Sequence, residues 1–249
     1  MTRPVSAALL QQLEAAKAEH KRGHYDQARR LYRRVLKKHP DLTPALHFLG
    51  VLEHMAGQSK KGLKLVERAR QQDPHNYDIR KNLGNILNDL NRSEEAEAIY
   101  RVLIEERPAD PGNHSNHCTA LRKLGRFDDA IAAGKRAVEL APDQPAGWHA
   151  LANALSSAGD LEQSVAAYEK VLAMAPDFSP AHNSVCQVLL QLEQQGWLSR
   201  RRLRRTRAAY GRWVKAVPNH PTARFMLDAL EQGRTPDRMP DGAVKASFD

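Results

Sequence analysis

Proline recurs at Pro40, Pro74, Pro108, Pro142 and Pro176, each 34 residues after the last. Proline lacks a backbone N–H and its ring clashes with the preceding turn, so it ends a helix. Five helix stops in register confine the chain to a repeated unit of that length. The same step links Gly23, Gly57, Gly125 and Gly159, with Asn91 in the third unit. It also links Ala28, Gly62, Ala96, Ala130 and Ser164, then Tyr32, Val66, Tyr100 and Tyr168, then Val35, Ala69, Leu103, Ala137 and Val171. Gly or Asn supplies the left-handed residue that closes one helix, and the proline closes the next. Each unit is therefore expected to be a pair of helices, stacked on its neighbours to bury a continuous core.

This spacing resembles the tetratricopeptide repeat family. The resemblance implies an all-α, right-handed α-solenoid, here of about six tetratricopeptide repeats with a C-terminal capping helix. With the proline at position 32, the repeats are 9–42, 43–76, 77–110, 111–144 and 145–178. Repeat five carries the pattern most fully, in Trp148, Leu151, Ala152, Leu155, Gly159, Tyr168, Val171 and Pro176. Small residues at position 8 (Gly50, Gly84, Cys118, Ala152, Cys186) are expected to let paired helices approach closely. After Pro176 the register slips, because Pro218 follows 42 residues later. An irregular unit 179–220 thus holds extra residues around Glu193 to Arg207, and a capping helix is expected over 221–232. The array occupies 1–232, and 233–249 reads as a linker or tail. Gly134 stands where other repeats carry Tyr or Val, so repeat four is expected to be less well packed and more mobile.

No stretch approaches the roughly 18 apolar residues of a membrane span, and the N-terminal Ala7-Ala8-Leu9-Leu10 is too short for a secretory core. A cytoplasmic location is expected. Cys118 and Cys186 lie two repeats apart, on the order of 20 Å at normal helix spacing, too far for a disulfide. Both read as buried core thiols. His114, His117 and Cys118 share a helical stretch, but Cys118 and His117 fall at core positions, so no metal site is expected. His20 and His24 read as exposed helix-end residues. There is no phosphate loop, nucleophile elbow, HExxH or dinucleotide fingerprint, and no catalytic or cofactor site is expected.

In the family, the first helix of each repeat lines a concave groove through positions 2, 5, 6, 9, 12 and 13. The resemblance places Lys81, Asn82, Asn85 and Asn88 of repeat three there. Ser115, Asn116, Thr119, Arg122 and Lys123 of repeat four follow, with His149, Asn153 and Ser156 of repeat five. Asparagine both donates and accepts, so such a face can hold the backbone of an extended segment. Asn82 and Asn116 resemble the asparagine ladder of O-GlcNAc transferases. Lys81, Asn85 and Asn116 match three positions of the carboxylate clamp of chaperone-binding relatives. The two cations that complete the clamp are replaced by Ala146 and Ala150, which disfavours a chaperone tail. The expected function is a non-catalytic protein-protein interaction scaffold holding a protein or peptide in this groove.

The net charge is +9, and its distribution raises an alternative. The second helix of repeat one carries Arg29, Arg30, Arg33, Arg34, Lys37 and Lys38. Between Gly196 and Lys215 lie Arg200, Arg201, Arg202, Arg204, Arg205, Arg207, Arg212 and Lys215 with no acid. The second run could meet an acidic protein, nucleic acid or an anionic membrane. No nucleic-acid fold accompanies it, which disfavours nucleic acid. Its apolar side is expected to be Trp197, Leu203, Tyr210, Trp213 and Val214. Finally, the tail's Gly233-Arg234-Thr235-Pro236 start, Pro240, Val244 and Phe248-Asp249 resemble the junction between such arrays and class I S-adenosylmethionine-dependent methyltransferase domains. On that reading the chain is the substrate-recognition region of a methyltransferase, ending before the cofactor-binding turn, with Lys245 to Asp249 disordered.

Overall fold

The computed structural model describes residues 6–194 and 200–231. Their secondary structure is helical, with no strand among the described residues. The helices are α1 Ala7–Lys21, α2 Tyr25–Lys38, α3 Thr43–Met55, α4 Ser59–Gln72, α5 Tyr77–Asp89, α6 Ser93–Glu106, α7 Pro111–Lys123, α8 Phe127–Leu140, α9 Pro145–Ala158, α10 Leu161–Met174, α11 Ser179–Gln194, α12 Arg200–Ala216 and α13 Pro221–Glu231. They fall into two compact units, Met1–Ala109 and Asp110–Asp249.

The punctuation read from the sequence acts as its chemistry requires. The first helix of repeat five ends on Gly159 at φ 86°, and the third repeat makes the same turn with Asn91 at φ 57°. Beyond Gly159, the Asp160 N–H donates to Leu155 O at 3.0 Å, which satisfies a carbonyl at the helix end. Starts are capped as well. The Asn76 side chain accepts from the Ile79 N–H at 3.2 Å, and Asp110 accepts from Gly112 and Asn113 at 2.8 and 3.3 Å.

In unit 1 the core runs through Leu9, Leu13, Ala16, Ala28, Tyr32, Val35, Ala45, Leu49 and Leu52. Helices α3 and α4 cross so closely that a Cβ on Gly62 would stand 2.5 Å from the Gly50 carbonyl oxygen. Any side chain there would part them. Glu53 is 1% exposed and ion-paired, with Arg33 Nη2 at 2.5 Å and Lys61 Nζ at 3.3 Å. Burial alone would raise its pKa, yet the hydrogen bonds and charges of Arg33 and Lys61 together hold it below the ordinary value.

The core of unit 2 centres on Leu151, Leu155, Val165, Tyr168, Val171, Val185, Leu189, Trp213, Met226 and Leu230. Cys118 and Cys186 are buried free thiols. Burial pushes Cys118 up to about 12, so it is no nucleophile at neutral pH. The longer sixth unit extends both of its helices, α11 to 16 residues and α12 to 17. Helix α13 buries Thr222, Ala223, Met226 and Leu230, and Arg207 Nη2 donates to the Leu230 carbonyl at 2.9 Å.

Two expectations are corrected. Repeat four is not loosely packed at Gly134, which is buried; a Cβ there would lie 3.0 Å from Leu151 Cα. The missing side chain lets the α8 and α9 backbones meet. His20 is not an exposed helix-end residue. It packs edge-on against Tyr25, Tyr32 and Phe48 at 5.9, 6.3 and 5.8 Å, and burial lowers its pKa. His24 is exposed, with Nδ1 2.7 Å from Glu19 Oε2.

The tail resemblance, the end of the capping segment at Gln232, and Trp197 lie outside the described residues, as do the side chains of Arg200, Arg201, Arg202 and Leu203.

Candidate functional site

Each unit has a cleft between the first helices of adjacent repeats, and the two differ in chemistry. In unit 1, Thr43, Pro44, His47 and Phe48 of α3 face Asp78, Ile79, Lys81 and Asn82 of α5, with Lys17, Asp73 and Asn76 at the margins. The cleft encloses about 590 Å³. Asn82 Nδ2 sits 2.8 Å from His47 Nε2. That bond needs the Nε2 lone pair, so the imidazole is neutral with its proton on Nδ1. Burial, the largest cause, lowers the His47 pKa and favours the same form. Lys81 Nζ lies 5.9 Å from the Tyr77 ring centroid, a cation-π contact.

In unit 2, Ser115, Asn116 and Thr119 of α7 face Pro145, Ala146, His149, Ala150 and Asn153 of α9, with Ala175 and Phe178 closing one end. This cleft also encloses about 590 Å³. Its floor is apolar and one rim is polar. The His149 ring stands edge-on to Phe178 at 5.3 Å, and its pKa is lowered, first by burial and then by the charge of Arg122. Ser115 Oγ donates to the Pro111 carbonyl and Thr119 Oγ1 to the Ser115 carbonyl, at 2.9 and 3.2 Å. Those hydroxyl protons point along their own helix. Arg122 is half-buried and Lys123 exposed.

Two of the asparagines have structural work that sequence reasoning missed. The Tyr100 hydroxyl donates to Asn85 Oδ1 at 2.5 Å, and the Tyr168 hydroxyl donates to Asn153 Oδ1 at 2.6 Å. A signal was present, since both pairs are separated by 15 residues. Asn153→Ala would remove the acceptor of the Tyr168 hydroxyl proton and leave that hydroxyl its Ser184 hydrogen bond, an expected loss of about 1 kcal/mol. Urea unfolding of Asn153→Ala, Tyr168→Phe and the double variant checks this, and the double variant should cost less than the sum.

Other residues were missed for want of applying the register evenly. His47 occupies position 5 of repeat two, the position of Lys81, Ser115 and His149 in the next three. Ala146 and Ala150, read as absent clamp cations, form part of the apolar floor.

The basic helices also differ from the sequence picture. Helix α4 is a third site of positive charge, with Lys60, Lys61, Lys64, Arg68 and Arg70 against Glu67 alone. On α12, Tyr210 and Trp213 are buried and Val214 half-buried, while Arg204, Arg205, Arg207 and Arg212 are exposed. Arg205 Nη1 is 3.1 Å from Glu162 Oε2 and Arg212 Nη2 3.6 Å from Glu169 Oε1, so α10 takes up part of this charge. Among the described residues, no group of three His, Cys, Asp or Glu is placed to hold a metal ion. None of their helices is long and apolar enough to cross a membrane.

Helical pairs of fixed length, crossing on small residues and turning on a left-handed Gly or Asn, define a helical-repeat protein that presents clefts between first helices. A tetratricopeptide repeat family model matches residues 53–113 and 121–193, and a second tetratricopeptide repeat model matches 10–52. The chain belongs to the tetratricopeptide repeat family. A search of curated proteins finds no match.

Among solved structures, it is similar to a thermophilic tetratricopeptide protein of Thermus thermophilus, TTC0263, at 17% identity and TM-score 0.63, covering 76% of this chain and 99% of that one. MamA of strain MSR-1 matches at 22% identity and TM-score 0.58, covering 69% and 98%. YrrB, described as a tetratricopeptide protein with an unusual peptide-binding site, matches at 17% identity and TM-score 0.55, covering 70% and 89%. At these identities the likeness is one of fold.

Proposed function

We propose that this chain is a non-catalytic interaction module that holds a segment of another protein in the cleft of unit 2. The family supports a scaffold of this general kind. One observation carries the more specific reading. Helices α7 and α9 enclose a cleft with an apolar floor, where buried area gives affinity, and a polar rim that carries the Asn116 amide, where a polar group fixes orientation. An extended peptide fits these requirements, because its backbone needs donors and acceptors while one side chain needs an apolar seat. The same role would serve the recognition region of a methyltransferase, the reading raised by the resemblance at 233–249.

Ala146 tests the proposal with little risk to the fold, being exposed and on the cleft wall. Peptides selected on the chain from a displayed random 12-residue library should lose at least tenfold in affinity for Ala146→Trp, measured by fluorescence anisotropy. Selected peptides that bind the variant equally well would rule out the cleft as the working surface.

A further inference from the structure

The unit 2 cleft has an electrostatic property that the unit 1 cleft lacks. In unit 1, Asp73 and Asp78 line the same cleft as Lys17 and Lys81, so each sign is answered locally. No charged residue lines the unit 2 cleft, but Arg122 stands beside it. It follows the lining residue Thr119 by three positions on α7 and therefore lies on the same side of that helix. Its charge is felt across the cleft. Behind burial, it is the second cause that lowers the His149 pKa. At the Tyr168 hydroxyl, whose pKa burial raises, it opposes that rise alongside the Ser184 hydrogen bond. Arg122 is half-buried, and among the described residues no carboxylate pairs with it. By contrast, Arg126 on the next turn bonds Asp129, and Arg136 bonds Glu139.

A guanidinium in partly desolvated surroundings is normally answered by an anion, and its planar fork matches a carboxylate. Building on the cleft-binding role proposed above, on which this rests, we infer that the occupant is a peptide carrying an Asp or Glu beside an apolar side chain. The apolar group seats against Ala146, Ala150 and Phe178, and the carboxylate pairs with Arg122. Shape and charge then act together, for the floor excludes water from the ion pair and the ion pair fixes which way the peptide runs. A basic or purely apolar segment of the same length would leave Arg122 half-buried and unanswered.

The test uses the full chain and a displayed random 12-residue library. Peptides that depend on Ala146 should be enriched in an acidic residue within about three positions of an apolar one. For the best of them, replacing that acid by its amide, or Arg122→Gln in the chain, should each weaken binding about tenfold or more, in line with the loss of a charged hydrogen bond. The two changes combined should cost little more than either alone. Arg122→Glu should prefer the peptide with Lys in place of the acid. Thermal melting matched to the parent chain confirms that Arg122→Gln is folded. Peptides lost on Ala146→Trp but free of acidic enrichment and indifferent to Arg122→Gln would overturn the carboxylate assignment while leaving the cleft in place. A library giving no peptide dependent on Ala146 would overturn both.

Discussion

Gly134→Tyr, which installs the residue that repeats one, three and five carry at the same position, should lower the melting temperature by about 10 °C. The repeat pattern alone points the other way, because an aromatic there is the rule and glycine the exception. The local geometry decides it. A Cβ at residue 134 would lie 3.0 Å from Leu151 Cα, 3.1 Å from Leu151 Cβ and 3.3 Å from Cys118 Sγ. The first of these is backbone in the middle of α9 and cannot swing aside. Accommodating a phenol would part α8 from α9 and open the cluster of Cys118, Leu121, Ala130, Ala150 and Ala154. Overpacking of a close helix contact costs about 1–3 kcal/mol or more. At about 2–4 °C per kcal/mol for a chain of this size, a loss near 4 kcal/mol gives the stated shift. Gly134→Ala should be milder, since its gain of about 1 kcal/mol in helix propensity opposes the crowding. Calorimetry on the three proteins checks the order. A melting temperature unchanged or raised by tyrosine would mean that α8 and α9 have room to spare.

The same position shows what could be read in the sequence and what could not. The repeat itself was legible because its punctuation is local: a proline or a left-handed Gly acts on its own backbone whatever surrounds it. Side-chain partnerships needed two positions read together. In repeats three and five, position 24 and position 9 form a pair, Tyr100 with Asn85 and Tyr168 with Asn153, joined by hydrogen bonds. Repeat two carries Val66 and Val51 at these places, and repeat four Gly134 and Thr119. Thr119 has no tyrosine opposite it, and its hydroxyl turns back to the Ser115 carbonyl. Read as a pair, Gly134 is one of several solutions rather than a defect. Asn85 and Asn153 likewise looked like ligand-facing amides because their intramolecular partners lie on the second helix. The apolar floor of the unit 2 cleft was hidden for another reason: alanine at positions 146 and 150 carries no signal until Phe178 and His149 are seen beside it. That no carboxylate among the described residues pairs with Arg122 depends on where each of them falls, which only the folded chain sets.

Stability should fall steeply as the pH drops below about 6.5, well before the carboxylates titrate. His47, His149 and His182 all have pKa values lowered from the ordinary 6.5, with burial the largest cause in each. His182 shows the reason most clearly. Its Nε2 is 2.7 Å from the Pro176 carbonyl oxygen and takes the proton of the neutral ring, while Nδ1 is buried without a hydrogen-bond partner among the described residues. The ring stacks on Trp213 at 5.8 Å and 3°. Arg212 and His220 oppose a second proton by charge, and the Pro176 carbonyl alone favours it. In the unfolded chain the same imidazole protonates at its ordinary value. Below about 6.5 the unfolded state therefore binds more protons than the folded state, and folding weakens until the folded pKa is reached. Each histidine that stays neutral in the fold contributes a slope of at most about 1.4 kcal/mol per pH unit. The carboxylate Glu53 acts in a separate window. Its lowered pKa supports folding above the ordinary 4.5, and that support fades only as the pH falls through its folded value. Urea unfolding at pH 7.5, 6.5 and 5.5 should show the loss. His182→Gln, which keeps a donor for the Pro176 carbonyl but cannot titrate, should reduce the slope by up to one histidine's share. A profile flat from pH 7.5 to 5.5, or a slope untouched by His182→Gln, would mean that the packed ring takes up its second proton without strain, and that the stack of His182 on Trp213 does not enforce the neutral form.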